Sequence, residues 1–298
     1  MAGRLAALRN RVDARLPALL PAPEERPEAV HRAMHYALTG PGKRLRPILT
    51  LAVADLFGSR LRLSRRSEII LDVACAVEMV HACSLIFDDL PAMDDAARRR
   101  GRPTVHRVFG EDVAQLAGLA LLNRAYALVA EGAQRLALRH YTTEDMLHHL
   151  AAAIGTGGLI GGQALDLSSR PEELDLTLLE YIHSHKTGAL FMAAGELGAM
   201  AADARRRDLE VIARFAKNLG LAFQISDDLL DVLATPEETG KDTGKDEAKV
   251  TFVKLLGVEG AHALATELLG FAVESLAPLG RKADPLREIA RFVELRGR

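Results

Sequence analysis

The chain has 298 residues, 49% of them hydrophobic and 26% charged, a balance that excludes a disordered or fibrous protein. Lysine and arginine number 38 against 40 acidic residues, so the net charge of -2 offers nucleic acid no basic field. Aromatic residues are only 4% with no tryptophan, which leaves few platforms for stacking bases. Cys75 and Cys83 fall on one predicted helix, about 12 Å apart at about 1.5 Å per residue, too far for a disulfide.

In chain order, the first stretch, MAGRLAALRNRVDARLPALL, sets Arg4, Arg9, Arg11, Asp13 and Arg15 among its apolar positions. Those charges interrupt any signal-peptide core, and no later stretch is expected to span a membrane; the expectation is a soluble cytoplasmic chain. Residues 17–27 hold Pro17, Pro21, Pro23 and Pro27. They make 1–27 an expected irregular N-terminal lead within a single domain spanning 1–298.

Beyond the lead, apolar residues recur at three- and four-residue intervals, which predicts helices over 28–38, 45–57, 65–90, 106–137, 144–168, 174–199, 205–234, 249–277 and 283–296. Glycine, proline and serine clusters punctuate them, and no strand alternation with hairpin turns or internal repeat emerges. The reading is all-α, a single-domain antiparallel helical bundle. Stretches 116–130 and 187–200 are apolar almost all round and are expected at its centre, beside a deep apolar cavity.

Two acidic clusters interrupt this apolar pattern. Leu85-Ile86-Phe87-Asp88-Asp89-Leu90-Pro91-Ala92-Met93-Asp94-Asp95 ends a strongly apolar helix in four carboxylates, where the helix dipole disfavours negative charge. Phe223-Gln224-Ile225-Ser226-Asp227-Asp228-Leu229-Leu230-Asp231 repeats the anomaly, with Asp227 and Asp231 one turn apart. A solvated acidic helix end accounts for either cluster alone, but not for two embedded in buried-type helices. Grouped carboxylates suit hard divalent cations, and Mg²⁺ takes a few carboxylates with substrate phosphates and water. Cations gather at nearby glycine turns: Lys43, Arg44 and Arg46; Arg98, Arg99, Arg100 and Arg102; Lys186; Lys241. Such side chains hold diphosphate oxygens, arginine in a bidentate fork and lysine as a point charge.

Other polar positions are weaker. His31 and His35 have metal-pair spacing without a zincin glutamate, His148-His149 and His183/His185 carry no motif, and the glycines at 155, 157, 158, 161 and 162 follow no strand. Gln163 and Asp166, one turn apart, either line the cavity or bond to neighbouring helices.

These motifs, in this order, resemble the trans-isoprenyl diphosphate synthases: GKRLRP (42–47), His81, DDLPAMD (88–94), RRGRPT (99–104), GGQALDL (161–167), HKTGALF (185–191) and FQISDDLLD (223–231). The resemblance runs from about residue 30 to 256. It implies a helical bundle of the isoprenoid synthase type, usually a homodimer, that condenses isopentenyl diphosphate head to tail onto an allylic diphosphate. It also implies three Mg²⁺ per site, two held by Asp88 and Asp94 and a third by Asp227, with Asp89, Asp228, Asp231 and Asp246 in an outer shell. Arg99, Lys186, Thr187, Gln224 and Lys241 would contact the allylic diphosphate, and Lys43, Arg46, His81 and Arg100 the isopentenyl diphosphate. By the same resemblance Asp88, Asp94, Asp227, Lys186, Lys241 and Arg99 form the catalytic set.

Departures refine this. On an ideal helix Asp94 lies about 120° from Asp88 while Asp95 nearly aligns, so Asp94 is the ligand only if Pro91 breaks the turn. Pro41 stands where the family often has glycine, Ala96 and Ala97 follow the first acidic motif, and the segment before Lys249 is shortened, leaving Lys249 and Thr251 without an assigned role. The wording around RRGRPTVH resembles the bacterial and plant type of geranylgeranyl diphosphate synthase. Cys83 and Ser84, about one turn before Asp88, are small and leave room for a twenty-carbon product; a floor at Met79, Val80, Phe109 or Leu119 would stop a farnesyl diphosphate synthase at fifteen. A terpene cyclase lacks a use for the second basic set, and a non-catalytic regulatory subunit lacks a use for intact aspartates.

Overall fold

A computed structural model describes residues 2–58, 65–233 and 250–295. Its helices are α1 (Ala2–Ala18), α2 (Glu28–Leu38), α3 (Leu45–Phe57), α4 (Arg65–Asp88), α5 (Val105–Phe109), α6 (Glu111–Leu136), α7 (Thr143–Ile154), α8 (Leu159–Ser168), α9 (Leu176–His183), α10 (Ala189–Ala201), α11 (Arg206–Leu233), α12 (Phe252–Ser275) and α13 (Asp284–Glu294). They form one all-α bundle. α4 packs against α3, α6 and α10, while α11 packs against α10 and α12. From Ile69 to Val80 every residue of α4 is buried, as suits a central helix.

Most predicted helices stand, and the differences have local causes. The expected irregular lead over 1–27 is a helix through Ala18. Leu8, Val12, Leu16 and Leu19 bury one stripe of it, and Arg15 donates to Asp72 of α4 at 2.7 and 3.1 Å. Pro17 falls in its last turn and forfeits one hydrogen bond; the other three prolines follow the helix. The predicted helix 106–137 breaks at Gly110, whose φ of 90° only glycine adopts readily. The helix 144–168 breaks between Gly155 and Gly158.

Two expectations of placement change. α10 is almost entirely buried, as predicted for 187–200, but α6 leaves Leu116 and Leu119 each 54% exposed, so 116–130 is not central all round. Against the expectation that no later stretch could span a membrane, three among the described residues are long and apolar enough by length and composition: Arg65–Asp88, Glu111–Leu136 and Thr143–Ser168. A central bundle helix and a membrane span look alike in composition; 78% of the apolar window of Arg65–Asp88 is buried inside the protein.

One hairpin escapes the helical reading. Arg98–Arg99 pairs antiparallel with Arg102–Pro103. Arg100 (φ 53°) and Gly101 (φ 78°) supply the two positive φ angles of a two-residue hairpin loop. It sets Arg99 and Arg100 toward different partners.

Candidate active site

The first acidic segment lies where α4 ends. Asp88 is its last residue, and beyond it the chain folds back through Pro91, so that the Asp94 N–H donates to the Asp88 carbonyl at 2.9 Å. Pro91 therefore does break the regular turn. Asp95 turns away: at φ 45° its carboxylate accepts from Arg107 Nη2 at 2.9 Å. Asp94, not Asp95, shares the neighbourhood of Asp88. Burial pushes the Asp88 carboxyl up to about 6; Lys186 and Arg99 oppose that rise, and Asp94 and Asp89 add to it.

Asp89 has a different employment. It is buried and gripped by Arg99, with Nε 2.8 and 2.9 Å from its two oxygens and Nη2 2.6 Å from Oδ1. Burial raises the Asp89 carboxyl and Arg99 holds it down. Arg99 remains charged, its own burial outweighed by Asp89, Asp88 and Asp94.

The second acidic segment is the last part of α11. Asp227 lies 3.6 Å from Lys43 Nζ. Asp228 is buried, accepting from Gln224 Nε2 at 3.0 Å and from the Phe252 N–H at the start of α12 at 3.2 Å. Burial pushes its carboxyl up to about 6, against these two hydrogen bonds. Asp231 is exposed. Lys241 and Asp246 lie outside the described residues, as does Lys249; Thr251 caps α12, its Oγ1 accepting from the Lys254 N–H.

A π-helical turn, Ser184–Gly188, joins the two segments. Such turns are rare and often mark functional sites. Lys186 donates to Asp166 Oδ2 at 2.5 Å and also acts on Asp88, while Thr187 Oγ1 donates to Gln224 Oε1 at 3.1 Å. α8 approaches this turn so closely that a Cβ on Gly162 would lie 2.2 Å from the Lys186 nitrogen. Gln163, next to Gly162, is buried, with Nε2 3.7 Å from Met93 Sδ.

The residues expected to hold isopentenyl diphosphate also converge. Arg46 lies over the Phe191 ring at 4.6 Å with no hydrogen-bond partner for its buried Nε, and burial lowers its pKa to about 10. Burial, then Arg46, Arg100, Arg99 and Arg44, hold His81 well below the ordinary imidazole range, so it is a neutral donor or acceptor. A cleft beside it is lined by Tyr36, Arg99, Arg100, Arg102 and Thr104. Cys83 is buried; burial and the nearby Asp88 raise its thiol to about 12. Ser84 Oγ donates to the His81 carbonyl at 2.9 Å.

The donor set is oxygen-only, and among the described residues no three carboxylate, histidine or cysteine side chains converge on one point. Oxygen donors suit a hard divalent cation such as Mg²⁺, which also takes substrate phosphate and water.

Arg44, counted with Lys43 and Arg46 among the cations suited to diphosphate, is instead buried on Asp13 and on Glu78, a residue sequence reasoning passed over; it pairs with Glu78 at 2.8 Å with both side chains about 4% exposed. A lone glutamate inside the apolar run of α4 was the available signal. Sequence reasoning also missed Tyr36, whose hydroxyl donates to the Pro103 carbonyl at 2.8 Å and whose ring carries the Arg102 guanidinium at 4.0 Å.

The family model described as polyprenyl synthetase matches residues 27–274. A dimethylallyltranstransferase of Fischerella ambigua is 42% identical over 97% of this chain and 82% of its own length. A geranylgeranyl diphosphate synthase of Cyanophora paradoxa is 42% identical over 89% of this chain and 86% of its own. Among solved structures, an FPP/GFPP synthase from Zymomonas mobilis superposes with a TM-score of 0.82 at 34% identity, covering 99% of this chain and 100% of that one. A geranyltransferase from Helicobacter pylori, complexed with magnesium and isoprenyl diphosphate, gives 0.85 at 32% identity, covering 98% and 95%.

Proposed function

The chain belongs to the polyprenyl synthetase family, and on that premise we propose that it is a short-chain trans-prenyltransferase. It condenses isopentenyl diphosphate head to tail with allylic diphosphates to give geranylgeranyl diphosphate. The observation that carries this reading is that each acidic segment lies among cations, Asp88 beside Lys186 and Arg99 and Asp227 beside Lys43, while Thr187 of the π turn bonds Gln224 of α11. Two diphosphate substrates need two subsites with cations: Lys186, Thr187, Gln224 and Arg99 would hold the allylic diphosphate, and Lys43, Arg46, Arg100 and His81 the isopentenyl diphosphate.

Asp88, Asp94 and Asp227 would hold Mg²⁺, three ions by the family resemblance, with the allylic diphosphate supplying the remaining oxygens. When bound, Mg²⁺ neutralises the charge that develops on the departing diphosphate. Lys186 and Arg99 do the same from the protein side, fixed in place by Asp166 and Asp89, so the allylic C–O bond ionises without reorganisation of these donors. Lys43, Arg46 and Arg100 hold the isopentenyl diphosphate with its double bond toward the cation. The coupled product then loses a proton to the released diphosphate. The buried apolar faces of α4 and α10 keep water from quenching the cation.

A twenty-carbon product is supported by the small Cys83 beside Asp88 and by the relatives named for geranylgeranyl diphosphate. A homodimer belongs to the same proposal, supported by the exposed Val108, Leu116 and Leu119 on α5 and α6.

Purified protein given isopentenyl diphosphate, dimethylallyl diphosphate and Mg²⁺ is expected to release inorganic diphosphate, and EDTA to stop it. Release that persists in EDTA contradicts the metal assignment. Release from the allylic substrate alone, without isopentenyl diphosphate, favours a cyclase.

A further inference from the structure

We infer that Asp13 of α1, ahead of the residues matched by the family model, is a positioning residue for the isopentenyl-diphosphate half of the site, acting through Arg44. The inference rests on the function proposed above.

Arg44 starts α3 in the left-handed region, φ 50°, which disfavours a side chain of its kind. Its side chain reaches back to the C-terminal end of α2, where the helix dipole favours positive charge. Four hydrogen bonds hold it there. Nε donates to Asp13 Oδ1 at 2.8 Å and Nη1 to Glu78 Oε1 at 2.8 Å, while Nη2 donates to the carbonyls of Leu38 and Gly40, both at 2.7 Å.

Those contacts fix the path of the substrate-binding loop. Arg100 Nη1 donates to the Pro41 carbonyl at 3.0 Å, and a Cβ on Gly42 would come within 2.8 Å of Nη1 of both Arg44 and Arg100. The Gly40–Gly42 segment is thus clamped between two guanidinium groups. Lys43 follows directly, and Arg46 lies in the first turn of α3. Arg44 sets the spacing between them.

Its two carboxylate partners differ in kind. Glu78 comes from the central helix and is fully enclosed, whereas the Asp13 side chain is 37% exposed and belongs to α1. Losing Asp13 leaves Arg44 with Glu78 and two carbonyls, so the bundle stands while the loop gains freedom. Among the described residues, no hydrogen bond or ion pair links Lys186, Thr187 or Gln224 of the allylic side to Asp13, Arg44 or Glu78.

The test uses the full chain with Asp13→Ala and Asp13→Glu. Asp13→Ala is expected to raise KM for isopentenyl diphosphate about fivefold to tenfold, with KM for farnesyl diphosphate within about twofold of wild type. Without substrate, amide hydrogen exchange across residues 39–46 is expected to quicken in Asp13→Ala. Asp13→Glu restores both. Equal effects on the two KM values, or unchanged values of both, overturn the inference. If wild type condenses nothing, the proposed function fails, and exchange alone decides: unchanged rates across 39–46 overturn the relay, and faster rates confined there uphold it.

Discussion

Asp89 and Arg99 form a three-contact ion pair, with Arg99 Nε and Nη2 both within 2.9 Å of a carboxylate that is 4% exposed. The two adjacent aspartates at the end of α4 therefore have separate duties. Asp88 faces the cationic site, and Asp89 anchors one of the cations in it.

That division is measurable. Breaking a buried ion pair by removing one partner costs about 3–5 kcal/mol, so Asp89→Ala is expected to lower the unfolding midpoint clearly. Asp88→Ala removes a group pushed up by burial and is expected to leave stability unchanged or improved while cutting turnover at least about a hundredfold. Asp227→Ala is expected to cut turnover similarly, with the helical circular dichroism of all three variants retained. Turnover near wild type in Asp88→Ala or Asp227→Ala contradicts the metal assignment.

Gly162 is the contact by which α8 approaches Lys186. A methyl group there meets the Lys186 backbone nitrogen at 2.2 Å, so the π turn must shift in Gly162→Ala. An ångström of misplacement at such a group costs about a hundredfold in rate, and kcat is expected to fall on that scale. Gly157→Ala, where nothing lies within 4 Å, serves as the control and is expected to keep its activity.

His149 of α7 pairs with Glu196 of α10 at 3.0 Å. That hydrogen bond raises the imidazole above its ordinary value of 6.5 despite burial, with Asp145 assisting and Arg206 opposing. A raised folded-state pKa contributes stability fully below the unfolded value, lost as pH rises through the folded one. The thermal midpoint is therefore expected to fall from about pH 6 to about pH 8. In His149→Gln that slope should flatten. The same slope in the variant assigns the pH dependence elsewhere.

Cys83 is buried beside Asp88, and in the proposed function the growing chain passes it. Cys83→Tyr is expected to shorten the product by one isoprene unit, at a packing cost of about 1–3 kcal/mol. An unchanged product places the floor elsewhere.

The sequence made the chemistry legible because its carboxylates and cations lie in short, contiguous motifs. What it hid depends on chain reversals and long-range pairs. Periodicity aligns Asp95 with Asp88, and only the fold-back after Pro91 brings Asp94 there instead. Asp89 and Arg99 meet because a two-residue hairpin turns at Arg100–Gly101, too short to show as strand alternation. Arg44 reads as one more cation in GKRLRP, yet its partners lie 31 and 34 residues away. The apolar pattern runs on through Gly110 and through the π turn, so both breaks passed as continuous helix. In the N-terminal lead the clustered prolines concealed the apolar stripe of Leu8, Val12 and Leu16 on α1 and Leu19 just beyond it.

Product chain length tests the central claim most directly. Wild-type protein would receive Mg²⁺, isopentenyl diphosphate and, separately, dimethylallyl, geranyl or farnesyl diphosphate, and the dephosphorylated products would be identified by mass. A dominant twenty-carbon alcohol from all three primers is expected. A fifteen-carbon stop contradicts the open pocket beside Cys83, and no condensation with any primer contradicts the prenyltransferase assignment itself.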